Sequence, residues 1–95
     1  MKVYISGKIT GDADYKQKFK TAQNILESTG FEVFNPAEQE ETGKSWTWYM
    51  RKDIAGLMEC DAIFLLKDWE DSRGARLEYY IAQQLEIKIF REVEQ

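Results

Sequence analysis

A doubly wound α/β fold, flavodoxin- or Rossmann-like, with three layers and a four-stranded, mainly parallel sheet, is the architecture this sequence predicts, on three observations. Short β-rich runs alternate with helix-length amphipathic stretches in the order strand, helix, strand, helix, strand, helix, strand. The run Asp61-Ala62-Ile63-Phe64-Leu65-Leu66 is almost continuously apolar, as strands covered on both faces are. The 95 residues, 43% apolar and 14% aromatic, suffice for one core and not for two, so residues 1–95 are expected to form a single domain. Right-handed crossovers follow from the parallel order.

In chain order, Lys2-Val3-Tyr4-Ile5-Ser6 reads as the first strand and Gly7-Lys8-Ile9-Thr10-Gly11-Asp12 as the loop leaving it. Tyr15, Phe19, Ala22, Ile25 and Leu26 then recur at helical spacing, and Gly30 marks the stop. Phe31-Glu32-Val33-Phe34 is the second strand, broken by Asn35-Pro36-Ala37; the acidic stretch from Glu38 to Lys44 reads as a solvated loop. Ser45 suits the cap of a second helix running to about Glu59, with Trp46, Tyr49, Met50, Ile54 and Leu57 on one side. After the third strand, Ser72 suits the cap of a third helix whose apolar face is Leu77, Ile81, Ala82 and Leu85. Leu85 to Phe90 is the fourth strand, and Arg91 to Gln95 a polar, fraying tail.

Composition removes several function classes. The net charge of −4 and pI near 4.8 argue against a nucleic-acid partner, which needs a basic face. No run approaches the roughly 18 apolar residues of a membrane span, and the N-terminus lacks the apolar core of a signal peptide, so a cytoplasmic protein is expected. With Cys60 as the one cysteine and no histidine, no internal disulfide, no metal site and no cofactor is expected.

Two carboxylates break the pattern. At about 100° per residue Glu78 falls in the middle of the third helix's apolar face, and Asp53 projects between Tyr49 and Leu57 on the second. The first helix carries no such carboxylate and serves as an internal control. A charge placed against a core is costly, so the group pairs with a cation, shifts its pKa or performs chemistry. Glu78 could lie at the edge of a misplaced register or pair with a buried Arg or Lys. Asp53 could pair with Arg51 or Lys52, although adjacent helical positions face apart.

In doubly wound folds ligands bind beyond the carboxyl ends of the strands, and the odd features collect there. Gly7, Lys8 and Gly11 follow strand one, Asn35 follows strand two, and Trp69, Ser72 and Gly74 follow strand three. Gly74 would admit a ligand close to the first helical turn, where free amides attract an anion. Two carboxylates at one rim, without a serine–histidine pairing or a metal cluster, fit glycosidic-bond cleavage best, with Glu78 as nucleophile and a second group positioning sugar or water. A 2-deoxyribosyl centre is especially amenable, because no 2-hydroxyl withdraws electrons from the cationic transition state. Trp69 either covers the base or is a plain core aromatic.

The segments Tyr4 to Gly11, Arg51-Lys52-Asp53-Ile54 leading to Cys60-Asp61-Ala62-Ile63, and Ser72-Arg73-Gly74-Ala75-Arg76-Leu77-Glu78 resemble, in order and spacing, the nucleoside 2-deoxyribosyltransferase family, which includes deoxynucleoside 5'-monophosphate N-glycosidases. The resemblance covers most of the chain and looks nearest to a small phage and prophage branch. It implies Glu78 as nucleophile, Asp53 orienting the base or assisting its protonation, and Tyr4 near the nucleophile. Ser6, Gly7, Lys8, Asn35, Trp69, Ser72 and Gly74 become substrate-binding candidates. Ser72 falls where a serine contacts the 5'-phosphate in the monophosphate hydrolases, and Lys8 would add a point charge to that phosphate. Lys8 and Thr10 differ from the residues of the characterised hydrolases, and no fifth strand is expected. The partner implied is a small nucleoside or nucleotide, and the assembly a homodimer. Two other expectations stand beside this one: a non-catalytic nucleotide-binding module, and an interaction protein using Trp46 and Trp48 as a partner surface.

Overall fold

The computed structural model describes residues 1–93; Glu94 and Gln95, the end of the expected fraying tail, lie outside the described residues. The elements are β1 (Lys2–Ser6), α1 (Tyr15–Ser28), β2 (Glu32–Phe34), α2 (Trp46–Met58), β3 (Ala62–Leu65), α3 (Arg73–Gln84) and β4 (Lys88–Arg91). Two short 3-10 turns, Pro36–Glu38 and Trp69–Asp71, sit in the connections after β2 and β3. All strand pairs are parallel, in the order β2-β1-β3-β4, as the alternating pattern predicts.

The period-two alternation of β1 sorts its side chains between two cores. Val3 and Ile5 face α1 and pack with Phe19, Ala22 and Leu26. Tyr4 faces the other way, into the layer of α2 and α3 with Leu57, Ile63, Leu65 and Ala82. Ser6 has the parity of Tyr4 and is 1% exposed. The register Tyr4↔Ile63 and Ser6↔Leu65 brings β1 and β3 to their carboxyl ends together, so both following loops open on the same rim.

Local chemistry explains the helix ends. Ser45 and Ser72 each accept a hydrogen bond from the amide three residues on, Trp48 and Ala75, both at 3.1 Å. At the end of α1, Gly30 takes φ +94, its N–H bonds to Glu27 O at 3.0 Å, and Phe31 N–H bonds to Leu26 O at 3.2 Å. The same motif ends α3 with a costlier residue: Glu86 holds φ 59 while Glu86 N–H reaches Gln83 O at 3.4 Å and Ile87 N–H reaches Ala82 O at 2.9 Å.

Two apolar positions differ from expectation. Ile25, placed on the buried stripe of α1, is 59% exposed, because Gln23 takes the inward position and accepts a bond from Asn35 Nδ2 at 3.0 Å. Leu85, assigned both to the apolar face of α3 and to the start of β4, is its C-cap and 58% exposed, since the turn at Glu86 delays β4 to Lys88. A third feature was invisible to pattern. Gly56 is buried in mid-helix, where a Cβ would lie 2.4 Å from Phe34 Cζ, so α2 approaches β2 closely only without a side chain there.

Candidate active site

Beyond the carboxyl ends of β1, β2 and β3 the rim opens into a cavity of about 1040 Å³. Its floor holds Glu78, 4% exposed on α3. No cation lies within 4.0 Å of it among the described residues, so the ion-pair alternative is not realised. Two hydroxyls from β1 hold it instead: Tyr4 Oη donates to Oε2 at 2.5 Å and Ser6 Oγ donates to Oε1 at 2.7 Å. The parity of β1 makes this possible, because residues two apart project to one face.

Burial pushes the Glu78 carboxyl up to about 8; the bonds from Tyr4 and Ser6 pull it down, and the charge of Asp53 raises it further. Tyr4 lies well above its ordinary range, first through burial and then through the neighbouring charges of Glu78 and Asp53. Asp53 lines the same cavity from α2. Burial lifts its carboxyl to about 6, opposed by the charge of Lys52. The Lys52 ammonium itself stands over the Trp48 ring, 5.3 Å from its centroid, rather than against Asp53. Two carboxyls thus face one cavity, both raised chiefly by burial and to different extents.

Tyr4, Gly7, Lys8, Asn35, Asp53, Ser72, Gly74 and Glu78 all line this cavity. Some of the expected roles shift. Ser6 stands behind Glu78 and spends its hydroxyl on it instead of on the cavity wall. Gly7 is demanded by packing, since a Cβ there would meet Leu66 Cδ1 at 2.7 Å. Asn35 is engaged structurally, its Oδ1 accepting Ala37 N–H at 2.9 Å while its Nδ2 holds Gln23. The Ser72 hydroxyl caps α3 at the rim.

Trp69 is a correction. It does not reach the cavity; its ring packs on Tyr79 with centroids 4.7 Å apart, beneath the Arg91 guanidinium. The 3-10 turn at 69–71 rotates it toward β4, and it behaves as a core aromatic. Trp46, grouped with Trp48 as a possible partner surface, instead lines the cavity, with Arg73 stacked 3.8 Å over its ring. That contact joins the first turns of α2 and α3. Residues 38–43 of the acidic stretch, expected merely to be solvated, form another wall. Tyr49 pins them by donating its hydroxyl to Glu41 O at 3.0 Å. No sequence periodicity marks a loop as a cavity wall.

Among the described residues no group of three metal-ligating side chains gathers, and no helix is long and apolar enough to cross a membrane. The chain superposes on a 2-deoxyribosyltransferase from the psychrotolerant bacterium Bacillus psychrosaccharolyticus with a TM-score of 0.75, at 19% identity, covering 100% of this chain and 77% of that one. It superposes on a 2-deoxyribosyltransferase from Leishmania mexicana with a TM-score of 0.73, at 17% identity, covering 95% and 62% respectively. At such identities the likeness is one of fold. No curated protein matches the sequence. The family model that does match, over residues 1–91, is described as a domain of unknown function, DUF4406, and the chain belongs to that family.

Proposed function

We propose that this protein cleaves the N-glycosidic bond of a 2-deoxynucleoside or its 5'-monophosphate, passing the deoxyribosyl group to water or to a second base. The observation that carries this reading is the Glu78 carboxylate, buried at the cavity floor and held by two hydroxyls, with no cation within 4.0 Å among the described residues. In that scheme an ionised Glu78 oxygen attacks the anomeric carbon through an oxocarbenium-like transition state. The bond to the base breaks, and the electron pair leaves with the base. The proton the departing base needs is the one Glu78 gives up on ionising, relayed by Asp53, whose carboxyl near 6 is mostly ionised at pH 7 and accepts it. The resulting glycosyl ester is opened by water, giving hydrolysis, or by an acceptor base, giving transfer. Tyr4 and Ser6 fix the carboxylate and stabilise its charged form. The fold shared with two 2-deoxyribosyltransferases supports the same class of substrate.

A second reading, a nucleotide-binding module without turnover, draws on the raised Glu78 pKa, which leaves the carboxyl mostly protonated at pH 7. One experiment separates the two. The protein is incubated with deoxynucleosides and their 5'-monophosphates, free base is followed by chromatography, and Glu78→Gln is run alongside. Base release lost in the variant supports cleavage. Ligand-induced thermal stabilisation without release supports the binding module. Neither signal rejects both.

A further inference from the structure

A second charged cluster lies beside the cavity. The Lys18 ammonium, in the first turn of α1, forms ion pairs with both Asp12 and Asp68. Asp68 Oδ1 also accepts the backbone N–H of Lys8 at 3.0 Å, and its carbonyl accepts Asp71 N–H at 3.0 Å. Asp68 therefore ties together two stretches of the cavity wall: the loop carrying Gly7 and Lys8, and the segment leading into Ser72. Two loops, the one from Gly7 to Asp12 and the one carrying Asp68, meet on one lysine of α1.

The consequence falls on Lys8. It lines the cavity, and no carboxylate lies within 4.0 Å of its ammonium among the described residues. Asp12 nevertheless feels it: the bond from Lys18 first, then the Asp14 amide, and also the charge of Lys8 hold that carboxyl below its ordinary value. For Lys18, burial pulls the ammonium down, but the bonds to Asp12 and Asp68 outweigh it and leave the group above its ordinary value. Two carboxylates thus stand within electrostatic reach of the loop, and Lys18 occupies both. Lys8 is the other cation whose charge acts on Asp12, and its backbone amide is already bound to Asp68, so it is the cation placed to turn to them without Lys18.

We infer that Lys18 is a specificity-positioning residue: by holding Asp12 and Asp68 it keeps the Lys8 ammonium free to meet a phosphate monoester on a ligand in the cavity. The inference rests on the nucleotide reading proposed above and adds to it the device that would set the preference for a phosphorylated over an uncharged ligand. Lys18 touches no ligand in this scheme. Its effect passes through Lys8.

The test is equilibrium binding, by calorimetry, of deoxynucleosides and their 5'-monophosphates to Lys18→Gln, Lys18→Arg, the double variant Lys18→Gln/Asp68→Asn and the protein wild type at both positions, all carrying Glu78→Gln so that no ligand is turned over. The Lys18 side chain is 36% exposed, and thermal melts followed by circular dichroism check that each variant folds. In the wild type the monophosphate is expected to bind more tightly than the nucleoside of the same base. In Lys18→Gln that preference should fall about five-fold with nucleoside affinity unchanged, while Lys18→Arg retains it. The double variant, which removes a competing carboxylate yet keeps an acceptor for the Lys8 amide, should recover it. Equal weakening of both ligands in Lys18→Gln, or an unchanged preference, overturns the inference. A wild type that binds nucleosides without preferring monophosphates overturns it alone and leaves the cleavage reading standing. A wild type that binds neither overturns both.

Discussion

Replacing Glu78 by Gln keeps the shape of the buried side chain and one acceptor for the β1 hydroxyls while removing its titration. The carboxyl belongs near 4.5 in the unfolded chain and is pushed to about 8 in the folded one, chiefly by burial. A group whose pKa is raised on folding stabilises the native state fully only below its unfolded value. Stability contributed by Glu78 is therefore complete below about pH 4.5, declines as pH rises, and is lost once pH passes about 8. At about 1.36 kcal/mol per pH unit the interval has a ceiling of about 5 kcal/mol. Relaxation and water entry lower the effective cost of a buried charge, so a decline of about 2–4 kcal/mol is expected. That is a large share of the 5–15 kcal/mol typical of a domain. Urea denaturation of the wild type and Glu78→Gln at half-unit steps from pH 4.5 to 9 measures it. The wild type should lose stability relative to the variant across that range, the difference growing monotonically. Parallel curves, agreeing within about 0.5 kcal/mol after a constant offset, would refute the placement of an ionisable, unpaired carboxyl at the cavity floor.

The remaining predictions concern the supports of the site and the fold. Tyr4→Phe removes the donor to Glu78 Oε2, so the carboxyl should rise further; base release at pH 7 should drop about 10–100-fold and its pH profile move to higher pH, as measured by chromatography across pH. Unchanged profiles would show that Tyr4 does not set the charge on Glu78. Gly56→Ala places a methyl against the Phe34 ring and should cost about 1–2 kcal/mol in chemical denaturation, the clash exceeding the roughly 1 kcal/mol that alanine gains in a helix. Adding Phe34→Leu should recover part of that loss. Glu86→Gly relieves the left-handed residue at the end of α3 and should raise stability by about 0.5–1 kcal/mol, read as a higher thermal midpoint.

Much of the site was legible because of contradiction. Glu78 and Asp53 stood out as carboxylates on faces whose other members were apolar, and the structure places both at one cavity. The capping serines 45 and 72 were equally legible, since a local hydrogen bond needs only local sequence. Trp69 was not, because periodicity does not say which way a 3-10 turn rotates a side chain. Ser6 stands among the expected ligand contacts only through the family resemblance of its segment. Only the strand register shows its hydroxyl spent on Glu78.

By itself, the sequence determined the order of the elements, the parallel sheet and the two anomalous carboxylates, since hydrophobic period and helix caps are properties of neighbouring residues. What only the tertiary structure decided is how distant residues meet. Tyr4 and Ser6 reach across 74 and 72 positions to hold Glu78. Lys18 gathers Asp12 and Asp68. Phe34 dictates a glycine at position 56. These contacts depend on which strands are adjacent, in what register and how closely a helix approaches them, and that information lies in the packing of the whole chain rather than in any one stretch of it.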